Sequence, residues 1–145
     1  MKVIGATILE RMSLWAEEHH FFTWAQYAFR KKLGTFDQGL NFHLISSKYV
    51  LAKKEPLYVA FMDLSQAFDC VIREKLWDIL LNIGMDGCLV DFIRQLHAFT
   101  TARITIDEYG RTLREINIKR GVRQGCIMAP FLFNVYTKNL ESHLL

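Results

Sequence analysis

The sequence predicts an α+β domain with few strands, in which helices pack on a small antiparallel sheet. Two observations predict this class. Apolar residues recur at helical spacing over most of the chain, whereas strand character is confined to an unbroken apolar run at 57–62 and an alternating stretch at 101–118. The 145 residues contain no repeat, low-complexity tract or linker rich in Gly, Pro or Ser, so we expect one piece.

The N-terminal third of the chain predicts two helices. In the first, over residues 3–15, four apolar side chains share one face: Ile4, Ile8, Met12 and Trp15. Residues 21–34 show no helical period, so we expect an irregular, basic segment there. Thr35 and Asp37 are candidate caps of a second helix that runs to about Ala52.

A buried strand is predicted next. Residues 57–62 are consecutive apolar positions, bounded by Pro56 and Asp63. An apolar run this short, with no polar face, is typical of a strand that is covered on both sides.

The second half of the chain predicts three further helices and a hairpin. Gly84 supplies the stop of the first of these helices, and Pro130 suits the start of the last. Segments 101–106 and 112–118 alternate on either side of a turn at 107–110. The expected inward faces are Ile72, Leu76, Ile79, Leu80 and Ile83, then Leu89, Phe92, Ile93 and Leu96, and finally Leu132, Val135, Tyr136 and Leu140.

Composition excludes several functional classes. No apolar run approaches the ~20 residues of a membrane span, and the first apolar stretch is too short for a signal peptide, so we expect a nuclear or cytoplasmic protein without membrane contact. Three cysteines without CxxC spacing disfavour a disulfide framework or a zinc site. Eighteen Lys and Arg against fifteen Asp and Glu give a net charge of +3, which permits a polyanionic partner without demanding one. Basic clusters at 30–32 and 111–123 could hold phosphates or be solvated faces.

Asp63 is the most informative single residue. A carboxylate at the end of a buried strand is costly unless it meets a cation or hydrogen-bond donors, and Mg²⁺ prefers such oxygen ligands. The alternative is that Asp63 merely ends the strand and caps the following turn. Asp69 could be a second ligand or, as we favour, the N-cap of the next helix. Phe68, between them, could pack inward or line a pocket.

The second informative stretch is the loop Gly121–Cys126. Two glycines bracket Arg123 and Gln124 just before a predicted helix. Glycine permits close backbone approach to a base or phosphate, and Arg and Gln are hydrogen-bonding side chains. The alternative is an ordinary loop that leads into a helix. It is not a Walker phosphate loop, because no Gly-Lys-Ser/Thr follows.

Together these two stretches resemble the reverse transcriptase domain of non-LTR (LINE-type) retrotransposons. The resemblance extends over nearly the whole chain. It is carried by Tyr58–Asp69 and Gly121–Cys126, with support in the same order as in the family from Gln26–Arg30, Thr35–Asp37, Lys75–Trp77, Ile83–Gly84 and Pro130–Asn134.

The resemblance implies a partial right-hand polymerase over residues 1–145, with a fingers remnant at about 1–56 and part of the palm, with motifs A and B, at about 57–145. It implies an RNA-directed DNA polymerase that uses Mg²⁺, dNTP, an RNA template and a DNA primer. Asp63 then matches the motif A aspartate that binds Mg²⁺, assisted by the carbonyl of Leu64. Phe68 matches the aromatic residue that stacks under the sugar and excludes a 2′-OH.

The resemblance also implies roles for residues outside motif A. Gln124 and Gly125 match the motif B residues that contact the nucleotide and the template. Arg30, Lys31 and Arg123 correspond to positions that approach the template or phosphates.

The sequence departs from the family pattern in one place that bears on catalysis. The second carboxylate pair of the family lies in a Tyr/Phe-x-Asp-Asp turn, and this sequence contains no Asp-Asp pair. Ala28 also replaces the usual Gly, and Ala129 the Ser before Pro130. We therefore expect a fragment that does not polymerise alone.

Other interpretations stay open at this point. The chain could be a non-catalytic module that binds RNA or another protein, or an unrelated metalloenzyme that uses Asp63 and Asp69. An uncovered edge on the motif A strand also predicts self-association.

Overall fold

The computed structural model describes residues 2–105, 112–123 and 125–140. The chain divides into two compact units, Glu10–Ser65 and Met1–Leu9 with Gln66–Leu145. In the described residues there are five α-helices and one two-stranded antiparallel sheet, which confirms the α+β class. None of the described helices has the length and hydropathy that a membrane span requires.

The helices of the N-terminal third agree with the sequence. Helix α1 spans Lys2–Glu18 and helix α2 spans Thr35–Ser47, and a π-helical turn, Lys48–Ala52, continues α2 to the predicted end. Gly34 is the N-cap of α2, and the Asp37 carboxylate accepts a hydrogen bond from its amide at 2.9 Å. Asp37 is therefore confirmed as a capping residue. Thr35 is instead the first helical residue.

The buried strand predicted at 57–62 is wrong. These residues have no regular secondary structure, and the side chains of Tyr58 and Phe61 are 90% and 85% exposed. A strand forms only where a neighbour accepts and donates its backbone hydrogen bonds. In the described part of Glu10–Ser65 no other strand is present, so the apolar run has no ladder to join.

In the other unit, helix α3 spans Arg73–Asn82 and helix α4 spans Gly87–Ala98. Gly84, at φ +85°, ends α3 as predicted. Its amide donates to the Leu81 carbonyl at 3.0 Å and the Met85 amide to the Leu80 carbonyl at 3.1 Å, which is a Schellman motif. The prediction that Asp69 caps α3 is wrong, because the N-cap is Ile72. A backbone turn at 66–70 places Asp69 before the helix.

The hairpin and the last helix complete this unit. Strands β1, Thr101–Thr105, and β2, Thr112–Asn117, pair antiparallel, which confirms the hairpin, and its predicted turn at 107–110 lies outside the described residues. Helix α5 spans Ala129–Thr137 and has Pro130 in its first turn, as predicted. Leu140, predicted to point inward, lies beyond the end of α5 and is exposed.

The core of this unit forms where α3 packs against both α4 and α5. All three helices contribute fully buried side chains, and two more precede α3 and α5: Leu76, Trp77, Leu80, Val90, Ile93, His97, Leu132, Asn134 and Val135, with Val71 and Met128. In α4 the helical period was predicted correctly, but the face that is fully buried is rotated by about one residue. Val90, Ile93 and His97 are buried, whereas Leu89, Phe92 and Leu96 are half-buried.

Candidate functional site

The loop Gly121–Cys126, which resembles motif B and is called the motif B loop below, is bound by backbone hydrogen bonds to Phe68–Val71, at the end of the segment that resembles motif A. The amide of Gly121 donates to the Val71 carbonyl at 2.8 Å, and the amide of Val122 donates to the Phe68 carbonyl at 3.0 Å. Phe68 and Gly121 are 53 residues apart in the sequence. These two hydrogen bonds nevertheless bring the backbone of Phe68–Val71 into direct contact with the loop. The end of the first stretch that carried the sequence argument thus meets the second stretch within one unit.

Gly121 is required at this contact for two reasons. Its φ of +82° lies in the left-handed region, which side chains disfavour. A Cβ placed on it would lie 2.8 Å from the Asp69 Cα and 3.0 Å from the carbonyl oxygens of Asp69 and Phe68. Since those atoms belong to the backbone, they cannot move aside as the tip of a side chain could.

Arg73 supports the same loop from its buried side. Its Nε donates to the Gly121 carbonyl at 2.7 Å, and its Nη1 donates to the carbonyl of His97 at 2.6 Å. The Arg73 side chain is buried, and this burial lowers the pKa of its guanidinium. Arg73 lies at the start of α3. Through the carbonyl groups of Gly121 and His97, its guanidinium links the motif B loop to the end of α4.

Phe68 lies between this loop and helix α5. Its ring is half-buried and tilted against the ring of Phe133, with centroids 4.8 Å apart. Arg123 follows Val122 directly and is exposed, and Gly125 is exposed with φ +75°. Gln124 lies outside the described residues.

A small polar cavity of about 310 Å³ adjoins the loop. Arg73, Arg120 and Arg123 contribute to its wall, together with Asp69 and the Thr100–Thr101 pair. Arg120, just before the loop, and Arg123, within it, are exposed and lie beside the buried Arg73. Such a surface suits an anionic ligand such as a phosphate.

Asp63 and Leu64 belong to the Glu10–Ser65 unit. Both are exposed and follow the irregular apolar segment directly. In the described residues no three His, Cys, Asp or Glu side chains are close enough to hold a metal ion together.

Arg30 has a well-defined structural environment in the same unit. Its Nε and Nη2 bind the two carboxylate oxygens of Glu17 at 2.9 and 2.7 Å, and its Nη1 donates to the carbonyls of Thr23 and Gln26 at 2.9 Å each. The hydrogen bond from Arg30 holds the pKa of Glu17 below its usual value. Lys31, by contrast, is 60% exposed and pairs with the exposed Glu10 at 3.4 Å.

Comparison with known proteins decides the family. Residues 1–145 match the family described as reverse transcriptase (RNA-dependent DNA polymerase). The chain belongs to this reverse transcriptase family. The resemblance recognised from motifs A and B is therefore confirmed.

Retrotransposon polyproteins are among the proteins to which the chain is similar. The chain is 34% identical over 86 residues to a "Retrovirus-related Pol polyprotein from type-1 retrotransposable element R2" of Popillia japonica, covering 59% of this chain and 14% of that protein. A second match of the same name and species is 29% identical over 114 residues, covering 77% of this chain and 16% of that protein. A type-2 R2DM polyprotein of Drosophila melanogaster is 29% identical over 83 residues, covering 57% and 8%. The chain thus spans a small part of the length of these relatives.

Reverse transcriptases generally depend on a divalent metal, so the fit of such an ion can be tested on this chain. Asp63 and the Leu64 carbonyl offer oxygen ligands of the right kind for Mg²⁺. A single carboxylate leaves most of an octahedral shell unfilled, and the described residues contain no group of three or more His, Cys, Asp or Glu that could complete it. The residues described here therefore do not make up a complete two-metal site.

Sequence reasoning missed two residues that shape the loop of this reverse transcriptase chain. Arg73 resembled an ordinary first-turn residue, since its carbonyl partners are distant in sequence. His97 lies four residues after Ile93, on the apolar face of α4. A polar residue at that spacing, on an otherwise apolar helix face, was the available signal.

Proposed function

We propose that this chain forms the nucleotide-facing part of a retrotransposon reverse transcriptase, and that alone it binds nucleic acid without polymerising. The fingers remnant is then about 1–56 and the palm part about 57–145. Its ligands are the RNA template, the DNA primer and the dNTP that the family uses. Asp63 is the catalytic and metal-binding aspartate, and Leu64 contributes its carbonyl oxygen.

The observation that carries the proposal is the contact between Gly121–Val122 and the backbone of Phe68–Val71. Because of it, the aromatic residue proposed to select deoxynucleotides adjoins the loop proposed to hold the nucleotide. In this proposal Gly125 and Gln124 contact the nucleotide and template, and Arg123 binds a phosphate.

Arg30 and Lys31 of the Glu10–Ser65 unit are both proposed to act at the template, but in different ways. Lys31 is exposed and free to turn toward a phosphate, so it is the better template contact. Arg30 is proposed to act at the same surface, where its four hydrogen bonds hold the segment 17–30 in one conformation.

We propose that the catalytic site of this chain is incomplete because it has too few carboxylates. Two-metal phosphoryl transfer needs several carboxylates around both ions. Asp63 is the one that motif A supplies, and the sequence contains no Asp-Asp pair to supply the others. We therefore propose that polymerisation needs residues that this chain does not contribute.

Primer extension tests the inactivity. The 145-residue chain is incubated with a primer–template, dNTPs and Mg²⁺, and we expect no extension above that of Asp63→Ala. Template-dependent extension that Asp63→Ala abolishes would show that the chain is a complete polymerase.

Salt-dependent binding tests the nucleic-acid surface. Fluorescence anisotropy of a labelled primer–template should show that the Kd weakens steeply with salt, because phosphate contacts release counterions. Arg123→Gln should reduce the slope of log K against log salt by about 1. Arg11→Gln, an exposed arginine of α1, removes the same charge and should change the slope less. Equal slopes for the two variants would argue against the loop as the phosphate site.

A protein-binding role is the second candidate, and one observation favours it. In the Glu10–Ser65 unit, large apolar side chains are exposed on α2 and on the segment after it, including Phe36, Tyr58 and Phe61. Such exposure is typical of surfaces that bind another protein. A complex formed this way should be nearly insensitive to salt, which separates it from phosphate-dominated binding.

A further inference from the structure

Residues 19–36 of the Glu10–Ser65 unit combine aromatic rings with positive charge. The segment contains six Phe, Tyr and Trp residues and three consecutive cations at 30–32, and it contains no Asp or Glu. The acidic side chains that face it come from α1, where Glu17 pairs with Arg30 and Glu10 with Lys31. A basic segment without acidic residues of its own favours a polyanionic partner.

The aromatic side chains of this segment divide into a buried pair and an exposed pair. Phe21 and Phe22 are buried in the unit, whereas Trp24 is 84% exposed and Phe29 is 60% exposed. Tryptophan is on average a highly buried residue, because its large ring gains much from leaving water. The ring of Trp24 gains little of this in the fold, and its surface is accessible to a ligand.

The backbone that carries Trp24 is held in one conformation. Arg30 Nη1 donates to the carbonyls of Thr23 and Gln26 at 2.9 Å each, and the Gln26 amide donates to the Thr23 carbonyl at 3.3 Å. The guanidinium of Arg30 is itself fixed by the carboxylate of Glu17 on α1. Trp24 thus lies in a closed loop, and a ligand that binds there does not have to order it first.

The residues that follow this loop supply exposed charge. Lys31 and Lys32 are both exposed, and none of the ion pairs between described residues includes Lys32. Phe29 and Lys32 have φ of +57° and +63°, in the left-handed region that bulky side chains rarely adopt. Such residues occur most often where a ligand is bound.

We propose that the loop Thr23–Lys32 binds an unpaired nucleic-acid strand. Its bases stack on the rings of Trp24 and Phe29, and its phosphates bind Lys31 and Lys32. Aromatic rings beside exposed cations are the usual means of binding single strands, because every unpaired base offers a flat face to a ring. The inference rests on the proposed nucleic-acid binding and adds a contact to the bases, separate from the phosphate contact proposed for Arg123.

Two strands with equal charge test the stacking in the unaltered chain. Oligothymidylate of about ten nucleotides and a fully abasic strand of the same length carry the same phosphates, but only the first has bases. Fluorescence anisotropy at one salt concentration should show that oligothymidylate binds about tenfold more tightly. Oligouridylate of the same length, titrated in parallel, distinguishes RNA from DNA as the bound strand.

Tryptophan emission gives a second readout at the proposed site. Trp77 is buried, and Trp15 is half-buried against the ring of His19, so Trp24 is the exposed indole of the chain. Oligothymidylate should quench the long-wavelength part of the emission, and the abasic strand should not. Trp24→Phe retains a ring, so it should bind with nearly unchanged affinity while this quenching is lost.

The variant Trp24→Leu retains an apolar side chain without an aromatic face. It should bind oligothymidylate about tenfold more weakly and the abasic strand as before. Phe36→Leu is the matched control, because Phe36 is 82% exposed in the same unit but lies outside the loop. It should leave both affinities unchanged. If Trp24→Leu does not fold, the comparison of the two strands in the unaltered chain still decides.

The outcomes separate this inference from the proposed function. Equal affinities of the unaltered chain for the two strands, or equal losses in Trp24→Leu and Phe36→Leu, would overturn the inference, and the exposed indole would then be a contact for another protein. Binding that weakens with salt but does not depend on the bases would leave the proposed function intact. Failure to bind either strand would overturn both.

Discussion

Two parts of the motif A region differ in how they are held. The end of the region, Phe68–Val71, is bound to the motif B loop by two short backbone hydrogen bonds, and Gly121 fits against it without space for a side chain. The beginning, 57–64, has no regular structure, and most of its apolar side chains are exposed. Yet the sequence of the beginning has the stronger structural pattern. Hydrophobicity alone therefore does not order a segment, which also needs a partner for its backbone groups.

Gly121→Ala is expected to cause the largest loss of stability. Alanine at this position combines a left-handed φ with a Cβ contact of 2.8 Å to backbone, so we expect a loss of about 3 kcal/mol or more in the free energy of unfolding. Urea unfolding followed by circular dichroism measures it.

Two other glycines are matched controls for this substitution. Gly125→Ala has the same left-handed strain, but among the described residues beyond its chain neighbours no atom lies within 4 Å of the added Cβ, so it should cost about 1 kcal/mol. Gly39→Ala, within helix α2 and also in open space, should be neutral or slightly stabilising. If Gly121→Ala were no worse than Gly125→Ala, the close packing of the two motifs would be refuted.

Arg73→Leu is expected to have the next largest effect. It keeps most of the apolar contact but removes the side-chain donor to the Gly121 carbonyl and one of the two donors to the His97 carbonyl, which still accepts from the Thr100 hydroxyl at 3.0 Å; we expect a cost of about 2 kcal/mol. Arg73→Lys, which restores one donor, should recover part of this loss. A urea midpoint for Arg73→Leu within error of the unaltered chain would mean that Arg73 does not support the loop.

The sequence predicts the features that depend on local patterns and misses those that depend on distant contacts. The helices, the hairpin and the stop at Gly84 were predictable, since apolar period and turn residues act locally. The motif A strand was not, because its formation depends on a neighbouring strand that the described residues do not provide. Arg73 meets Gly121 across 48 residues and His97 across 24, and no local pattern encodes such contacts. The choice of His97 over Leu96 for the core of α4 is likewise set by packing against α3.

A third substitution tests whether the N-terminal unit also has an ordered part. Arg30→Met removes both bonds to Glu17 and both bonds to carbonyls, and it should cost about 1–2 kcal/mol, a figure reduced by the solvent exposure of Glu17. The free energy of unfolding at neutral pH measures it. Lys31→Met, at an exposed pair 3.4 Å apart, is the control and should change stability little.

The ion pair between Arg30 and Glu17 predicts that the stability of the chain depends on pH. The pKa of Glu17 is lowered in the folded state from 4.5, so the unfolded chain binds the proton first as the pH falls. The stabilisation by the pair is complete above pH 4.5 and is lost as the pH falls through the folded-state pKa. The stability difference between the unaltered chain and Arg30→Met should therefore shrink in acid. A constant difference from pH 7 to pH 3 would exclude the Glu17 carboxylate as the partner that matters.

The smallest effect on stability is expected for a substitution in the irregular segment 57–64. Phe61 is 85% exposed, although its ring approaches that of Phe42 with centroids 5.9 Å apart, so Phe61→Lys should change the free energy of unfolding by less than about 0.5 kcal/mol. Its effect on association should be larger, because a charge on an exposed apolar segment opposes pairing between chains. Sedimentation velocity over a range of concentrations should show less self-association for Phe61→Lys than for the unaltered chain. Lys54→Glu, just before the segment and also exposed, changes charge without removing apolar surface and should not reduce association. A large loss of stability in Phe61→Lys would instead mean that 57–64 is held by packing as firmly as Phe68–Val71.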